Sequence, residues 1–375
     1  MPTYVFTFFL FINLILIGFE SYARSFDAEG SDILMGVGAA QMSIGGAAAA
    51  GTEDVYSIFW NPAGLAELER NEVTVSKQIN SELSPINYFG AAIVSDKLNF
   101  MGLKSVVGFA WILRIHAASS GSFSSDELES MFLRFALPGL PGDFDGDLET
   151  KAKDYRITWA VMPEYQPKWS LAISLSRIDC RSNFCGVTAD DPGNYKISSA
   201  EATAYSAHLG AKYFYSDSLV FGLNIEDIDT NLTVDSILTD KNGTRKKTYN
   251  VPFPREFDLG LQWTASNKSN LSMDFQNIQG SYGEYEIDFK IMRFGYEYKN
   301  AHLAYRGGLI YPLKINSDNT GDLSEDLPFP LIPTVGVGWA GKNFKIDFVI
   351  YPHPFMSHHL NRTWMTGDLS VTYRF

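Results

Sequence analysis

Apolar and polar residues alternate with a period of two along most of this chain, beginning at residue 72. Trp169 to Leu175 shows the pattern clearly, because each apolar residue is followed by Ser or Ala. One apolar and one polar face is typical of an amphipathic β-strand. The alternation predicts fourteen strands, at roughly 72–79, 86–95, 104–115, 154–165, 169–179, 201–214, 219–229, 255–264, 271–277, 287–298, 302–311, 332–340, 344–351 and 364–375.

Short and long connections alternate between these strands. The short ones are residues 166–168, 215–218, 299–301 and 340–343. The long ones are residues 116–153, 180–200, 230–254, 312–331 and 352–363. An even number of strands with short turns at one end and long loops at the other is typical of bacterial outer-membrane barrels. We therefore predict an all-β fold, a 14-stranded antiparallel transmembrane β-barrel with both termini on the periplasmic side. Apolar residues change face within the tenth strand, which predicts a bulge near Met292.

A soluble β-sandwich is the alternative, and two features favour the barrel. Six tryptophans, at positions 111, 159, 169, 263, 339 and 364, fall within strands or at their ends, as in aromatic girdles. The chain finishes on an amphipathic strand ending at Phe375, through which outer-membrane assembly machinery is an expected partner. The net charge of -13 argues against a nucleic-acid partner.

The first residues form an apolar leader. Residues 4–19 are almost wholly apolar, and Ser21 and Ala23 supply the small residues of a cleavage site. The segment lacks an early Lys or Arg, so a membrane anchor is the alternative to a signal peptide. We favour a signal peptide at 1–23.

Residues 24–70 differ from both the leader and the barrel. Small residues dominate 45–51, and an apolar triplet precedes a rigid turn that contains proline. A compact, helix-prone segment of this kind fits inside a larger structure, so we predict a hatch at 24–70 that plugs a barrel at 71–375. Its candidate substrate or hatch residues are Ile58, Phe59, Trp60, Asn61, Pro62, Ala63 and Gly64. The triplet can line an apolar pocket or anchor the hatch to the wall.

The hatch sequence and the terminal strand together resemble the FadL-type family of long-chain fatty acid and aromatic hydrocarbon transporters. Positions that carry the resemblance are Gly36-Val37-Gly38, Gly45-Gly46, Asp54, Asn61-Pro62-Ala63-Gly64, Pro254-Arg255-Glu256, Arg293 and Gly295. The resemblance implies that the hatch closes the lumen, and that hydrophobic ligands bind beside it before leaving sideways into the membrane.

The expected function is therefore outer-membrane transport of hydrophobic small molecules such as long-chain fatty acids, without a cofactor. The expected surroundings are outer-membrane lipids. Residues 61–66 read Asn-Pro-Ala-Gly-Leu-Ala, which resembles the PorV-like subfamily. That resemblance leaves open a role as partner of a protein secretion system, and a structural or adhesive surface protein is a third possibility.

Other candidate sites are weaker. Asp143, Asp145 and Asp147 have the spacing of a calcium loop, although the later ligands are missing, so a solvated acidic loop is the simpler interpretation. His353, His358 and His359 cluster in the last long loop as weak metal candidates. Cys180 and Cys185, the only two cysteines, predict a disulfide in an exported protein.

The sequence does not predict an enzyme. It contains no phosphate-binding glycine loop, no His-Glu-x-x-His and no Gly-x-Ser-x-Gly motif. A barrel hydrolase would need a serine and a histidine on neighbouring strands. We expect His208 to be the only histidine in the middle of a strand, and a polar residue of the lumen.

Overall fold

The strands predicted from alternation are present in a computed structural model, which describes residues 25–31, 36–79, 83–123, 144–182, 196–240, 243–282, 285–317, 321–322, 331–354, 357 and 363–375. The barrel strands are β1 Glu72–Ile79, β2 Tyr88–Val94, β3 Leu103–Phe123, β4 Phe144–Pro163, β5 Trp169–Ser182, β6 Lys196–Ser216, β7 Leu219–Ile228, β8 Arg255–Ser266, β9 Ser269–Tyr282, β10 Tyr285–Asn300, β11 Leu303–Ser317, β12 Ile332–Ala340, β13 Phe344–Pro352 and β14 Met365–Arg374.

These fourteen strands close into an antiparallel barrel. Each pairs with the next along the chain, and β14 pairs with β1, with Val371 opposite Val75. The Phe375 amide also donates to the Asn71 carbonyl at 3.1 Å, beside the closure. The predicted fold class and strand number are confirmed.

Period-two alternation places polar residues inside the barrel and apolar residues outside. On β4, Arg156 and Thr158 face inward and are buried, whereas Ile157 between them is exposed on the outer surface. Aromatic side chains on the outer surface gather near the short turns: Trp169, Tyr213, Trp263, Tyr296, Trp339, Phe344 and Tyr373. An apolar exterior with an aromatic girdle matches a bilayer boundary. Among the described residues, no helix is long and apolar enough to cross a membrane.

Two of the predicted long loops contain strand. β3 and β4 stay paired out to Phe123 opposite Phe144, and a hairpin of Asn231–Asp240 and Gly243–Pro252 follows β7. The first strand of this hairpin, Asn231–Asp240, pairs with the N-terminal part of β6, from Lys196 to Thr203. The predictions of loops were wrong at 116–123, 144–153, 231–240 and 243–252, because strand pairing continues beyond the length that a bilayer requires; residues 124–143 lie outside the described residues.

The N-terminal part of the chain runs through the barrel from one end to the other. Ser25–Glu29 is a short strand that pairs with β3 at His116–Ser120, at the long-loop end. The chain then enters the lumen and reaches the short-turn end at Asn71, where β1 begins. The first described strand therefore lies at the long-loop end, whereas the chain ends at the short-turn end. Residues 1–24 lie outside the described residues, so the position of the N-terminus stays a prediction.

Within the lumen the hatch contains only short helices. They are α1 Ala39–Ser43, α2 Ser57–Trp60 and a 3-10 helix at Pro62–Glu67. Pro62 occupies the first turn of that helix, where its missing N–H costs nothing, and Asn61 caps it. The turns between the helices are compact because Gly45 and Gly46 adopt φ of 67° and 70°.

The predicted bulge near Met292 is not in β10 but in the neighbouring strand, β11. β10 itself alternates without interruption, and the register shift occurs in its pairing with β11, between Lys290 and Ile291. The apolar residues of β10 change face because Phe289 and Ile291 point into the lumen, while Phe294 points to the membrane. An apolar patch inside the barrel therefore explains the pattern that we interpreted as a bulge in β10.

Candidate functional site: the lumen around the hatch

Asn61 connects the hatch to itself and to the barrel wall. Its side-chain amide donates to the Ala49 carbonyl at 2.7 Å and to the Ala211 carbonyl of β6 at 3.1 Å. Its side-chain oxygen accepts from the Ala63 amide at 3.1 Å. The residue is fully buried. Asn61 thus uses both donor and acceptor atoms to fix the turn before the 3-10 helix against β6.

Inward-facing glycines allow the hatch backbone to touch the wall. Where a Cβ would meet the hatch, the strands have Gly90, Gly108, Gly210, Gly222, Gly260, Gly295, Gly308 and Gly336. A Cβ on Gly260 would lie 2.8 Å from the Ala50 amide nitrogen, and one on Gly108 would lie 2.8 Å from Ile58 and Leu65 side-chain carbons. Contacts at these distances leave no room for a side chain, so the fit of the hatch depends on these glycines.

The predicted triplet divides into two anchors and one partly exposed ring. Ile58 is completely buried, whereas Trp60 is 6% exposed and donates its indole N–H to the Val37 carbonyl at 2.8 Å. Phe59 is only partly buried and packs edge-on against Trp60. Of the three, Phe59 is the residue placed to touch a ligand.

Two arginines of the barrel wall lie against the rings of Phe59 and Trp60. The Arg156 guanidinium lies 5.7 Å from the Phe59 ring centre, and the Arg293 guanidinium lies 5.6 Å from the Trp60 ring. Arg293 also donates to the Gly45 carbonyl at 3.0 Å. Such cation–π contacts are worth about 0.5–2 kcal/mol each, and they fix the rings relative to opposite walls.

One side of the lumen, on β3 to β8, is ionic. Arg156 bonds Asp154 at 2.7 Å and Glu226 at 2.8 Å. Arg114, at a bulge in β3, bonds Asp227 at 3.1 Å. All five groups are buried. Buried pairs of this kind are costly to break, because removal of one partner leaves an uncompensated charge.

The opposite side, on β10 to β13, is apolar toward the long-loop end. Its buried lumen residues form one cluster with Val37, Met42 and Trp60 of the hatch: Phe289, Ile291, Ile310, Ile332, Val349 and Tyr351. Polar and charged side chains occupy many other lumen positions of the described residues, although β2 to β4 add further apolar ones, such as Tyr88 and Ile112. The apolar part of the wall on β10 to β13 suits a hydrophobic ligand, and Phe59 packs against the larger core cluster to which it belongs.

Below the hatch, at the short-turn end, the lumen is polar. A cavity of about 340 Å³ lies between hatch residues Gln41 and Asp54 and wall residues that include Arg306 and Lys345. Lys345 bonds Asp54 at 3.2 Å. Two sections of different polarity thus lie on either side of the hatch.

A second ion pair joins the C-terminal end of the hatch to the barrel wall. Lys212 of β6 bonds the Glu67 carboxylate. Burial raises the pKa of Glu67 to about 7, and the Lys212 ammonium opposes that rise.

The weaker predicted sites have different outcomes. Asp145 and Asp147 belong to β4, whose pairing with β3 keeps the backbone extended there. Asp143 lies outside the described residues, so the weak calcium candidate stays a prediction. Among the described residues, no group of three or more His, Cys, Asp or Glu side chains could hold a metal ion.

The histidine and cysteine candidates are only partly described. His353 is buried just after β13, and burial lowers its pKa to about 4, while His358 and His359 lie outside the described residues. Cys180, near the end of β5, is in a disulfide. Its predicted partner Cys185 lies outside the described residues, so the pairing of these two stays a prediction.

Sequence reasoning missed a second histidine within a strand. His208 does face the lumen, with its Nε2 3.0 Å from the Ser176 hydroxyl. His116 is also within a strand, because β3 extends beyond the predicted end at residue 115. The length of β3 concealed this position, and no local motif marks it.

Comparison with known proteins gives matches among solved structures alone. No family model matches the chain, and no curated protein matches it. The toluene transporter TbuX of Ralstonia pickettii is 16% identical, covers 91% of this chain and 99% of its own, and has a TM-score of 0.57. The toluene transporter TodX of P. putida is 12% identical, with coverages of 92% and 99% and a TM-score of 0.55.

A FadL homologue of Pseudomonas aeruginosa is 11% identical, with coverages of 88% and 96% and a TM-score of 0.54. At these identities the similarity concerns the fold, and it extends over most of each chain. The chain therefore has the fold of the FadL-type outer-membrane transporters.

Proposed function

We propose that this protein conducts uncharged hydrophobic small molecules across the outer membrane. The observation that carries the proposal is the apolar cluster of β10 to β13, which faces the lumen and contacts Val37, Met42 and Trp60 of the hatch. Transfer of a ligand from water to such a surface gains about 0.8 kcal/mol per CH₂ group. The solved structures of the same fold include two toluene transporters, TbuX and TodX.

The charges of the interior favour a neutral ligand over a fatty-acid anion. Among the described residues, ten Asp and Glu residues are buried but only five Arg and Lys residues. Four of the five cations bond carboxylates, and the fifth, Arg293, bonds the Gln276 side chain and the Gly45 carbonyl. A carboxylate head group would have to be buried among other carboxyl groups, and each of these five cations already has a partner.

The secretion-partner alternative is not favoured by the solved structures of similar fold, which include toluene transporters. The resemblance of residues 61–66 to the PorV-like subfamily is explained by their role in the hatch, where Asn61 caps the 3-10 helix.

The proposal is tested by binding of two ligands with the same tail, dodecanol and dodecanoate, to purified protein in detergent micelles. Titration calorimetry should give tighter binding of dodecanol, by about tenfold or more, since the anion must lose its hydration without gaining a partner. Equal or tighter binding of dodecanoate would contradict the preference for a neutral ligand and support the fatty-acid hypothesis. Binding of neither ligand would contradict the proposed function.

A further inference from the structure

A hydrogen-bonded cluster at the long-loop end surrounds the N-terminal strand Ser25–Glu29. His116 of β3 lies directly opposite Glu29 in the strand pairing. Its Nδ1 is 2.9 Å from the Ser84 hydroxyl, and its Nε2 is 2.9 Å from the Glu149 carboxylate of β4. The Glu29 carboxylate lies 3.6 Å from the same Nδ1. Both ring nitrogens therefore have acidic neighbours from two different elements.

Glu29 is the unusual member of this cluster. The residue is only 4% exposed, and neither of its carboxylate oxygens has a hydrogen-bond partner. A buried carboxylate without a donor is costly, so the site lacks a proton or a cation. His116, whose Nδ1 lies 3.6 Å from the carboxylate, can supply one.

The protonation state of His116 decides whether Glu29 is compensated. A neutral imidazole has one N–H. If Nε2 donates to Glu149, Nδ1 accepts from the Ser84 hydroxyl and presents a lone pair to Glu29. A protonated imidazolium has two donors, so Nδ1 then places both an N–H and a positive charge beside Glu29.

Other charges near the cluster do not remove this dependence. Lys151 of β4 donates to the Ser84 hydroxyl at 3.4 Å, and Lys77 of β1 donates to the Ser84 carbonyl. Both lysines thus bind Ser84. Asp368 of β14 is also within electrostatic range of Glu29. Neither lysine donates to Glu29, because both Glu29 oxygens lack a hydrogen-bond partner, so the carboxylate still depends on His116.

We propose that Glu29, His116, Ser84 and Glu149 form a proton-dependent clasp that holds the N-terminal strand in the barrel wall. The clasp is closed when His116 carries two protons, and it opens when His116 becomes neutral. Release of Ser25–Glu29 uncovers the edge of β3 at His116–Ser120, at the long-loop end of the lumen. This inference does not depend on what the barrel conducts.

Hydrogen–deuterium exchange of the full-length protein in detergent tests the clasp without reference to transport. Peptides that cover Ser25–Glu29 and His116–Ser120 should be protected at about pH 5 and lose protection toward about pH 8, the range in which imidazole titrates. After correction for the intrinsic exchange rate, release of one proton on opening gives about a tenfold change per pH unit. The hairpin of Asn231–Asp240 and Gly243–Pro252, which contains no histidine, is the internal control.

Two variants give opposite expected results. Glu29→Gln removes the buried charge, so both segments should stay protected at either pH. His116→Gln leaves Glu29 without a cation, so both should exchange rapidly at either pH. If His116→Gln fails to fold, Glu29→Gln still tests the inference. Equal protection of the wild type at the two pH values, pH dependence that persists in either variant, or the same pH dependence in the control hairpin would overturn it.

Discussion

Replacement of Asn61 by alanine should loosen the hatch while the barrel stays closed. The change removes three hydrogen bonds, to the Ala49 and Ala211 carbonyls and from the Ala63 amide. At about 1 kcal/mol for each neutral bond, the loss is about 3 kcal/mol. Because 1.4 kcal/mol corresponds to a factor of ten, local opening of the hatch should become roughly 100-fold more frequent. The barrel strands pair with one another, so their closure does not depend on this residue.

Hydrogen exchange measures that opening at hatch amides such as Gly64, which donates to the Asn61 carbonyl at 3.0 Å. The matched control is Ser57→Ala. Ser57 is equally buried, but its hydroxyl has no hydrogen-bond partner, so its removal costs no bond. On electrophoresis gels without prior heating, both variants should migrate at the position of the folded barrel. Hatch protection that is equal in Asn61→Ala and Ser57→Ala would refute the reasoning, and so would loss of the folded barrel in Asn61→Ala alone.

Three further changes test other parts of the account. Gly260→Ala places a Cβ 2.8 Å from the Ala50 amide nitrogen and should increase hydrogen exchange across the hatch, whereas Gly307→Ala, whose nearest neighbour is 3.9 Å away, should not. Arg156→Gln leaves Asp154 and Glu226 buried without their cation and should destabilise the protein by about 3–5 kcal/mol in denaturant unfolding. The exposed pair of Arg177 and Asp179 provides its control, Arg177→Gln, with an effect of at most about 1 kcal/mol. Cys180 and Cys185 should resist maleimide labelling in the folded protein until a reductant is added, and labelling of both without reductant would contradict their pairing.

The strands could be predicted from the sequence because membrane and lumen impose opposite polarities on successive residues. That rule identified β4 from Arg156 to Trp159 and identified the final strand. It was misleading at β10, where Phe289 and Ile291 face an apolar part of the lumen instead of water or charge. In a sequence, an inward-facing apolar patch and a bulge produce the same shift in the alternation of apolar and polar residues.

The site itself was harder to predict because its contacts join distant parts of the chain. Asn61 could be singled out from its place before Pro62, but its contact with the Ala211 carbonyl spans 150 positions. Gly260 lies two residues after Asp258 on the same strand, so it faces the lumen as Asp258 does. Nothing in the neighbouring sequence indicates that Ala49 and Ala50 pack against it. The path of the N-terminal strand to His116 likewise depends on how the hatch crosses the lumen.

The most direct test of the account is the initial rate at which whole cells take up labelled toluene. Cells that display the protein at a measured surface level should take up toluene faster than cells that lack it, and the rate should rise with surface level. Asn61→Ala at a matched level should change the rate, because the proposed path of the ligand runs beside the hatch. Uptake that is independent of the protein would contradict the central claim that this barrel conducts uncharged hydrophobic molecules.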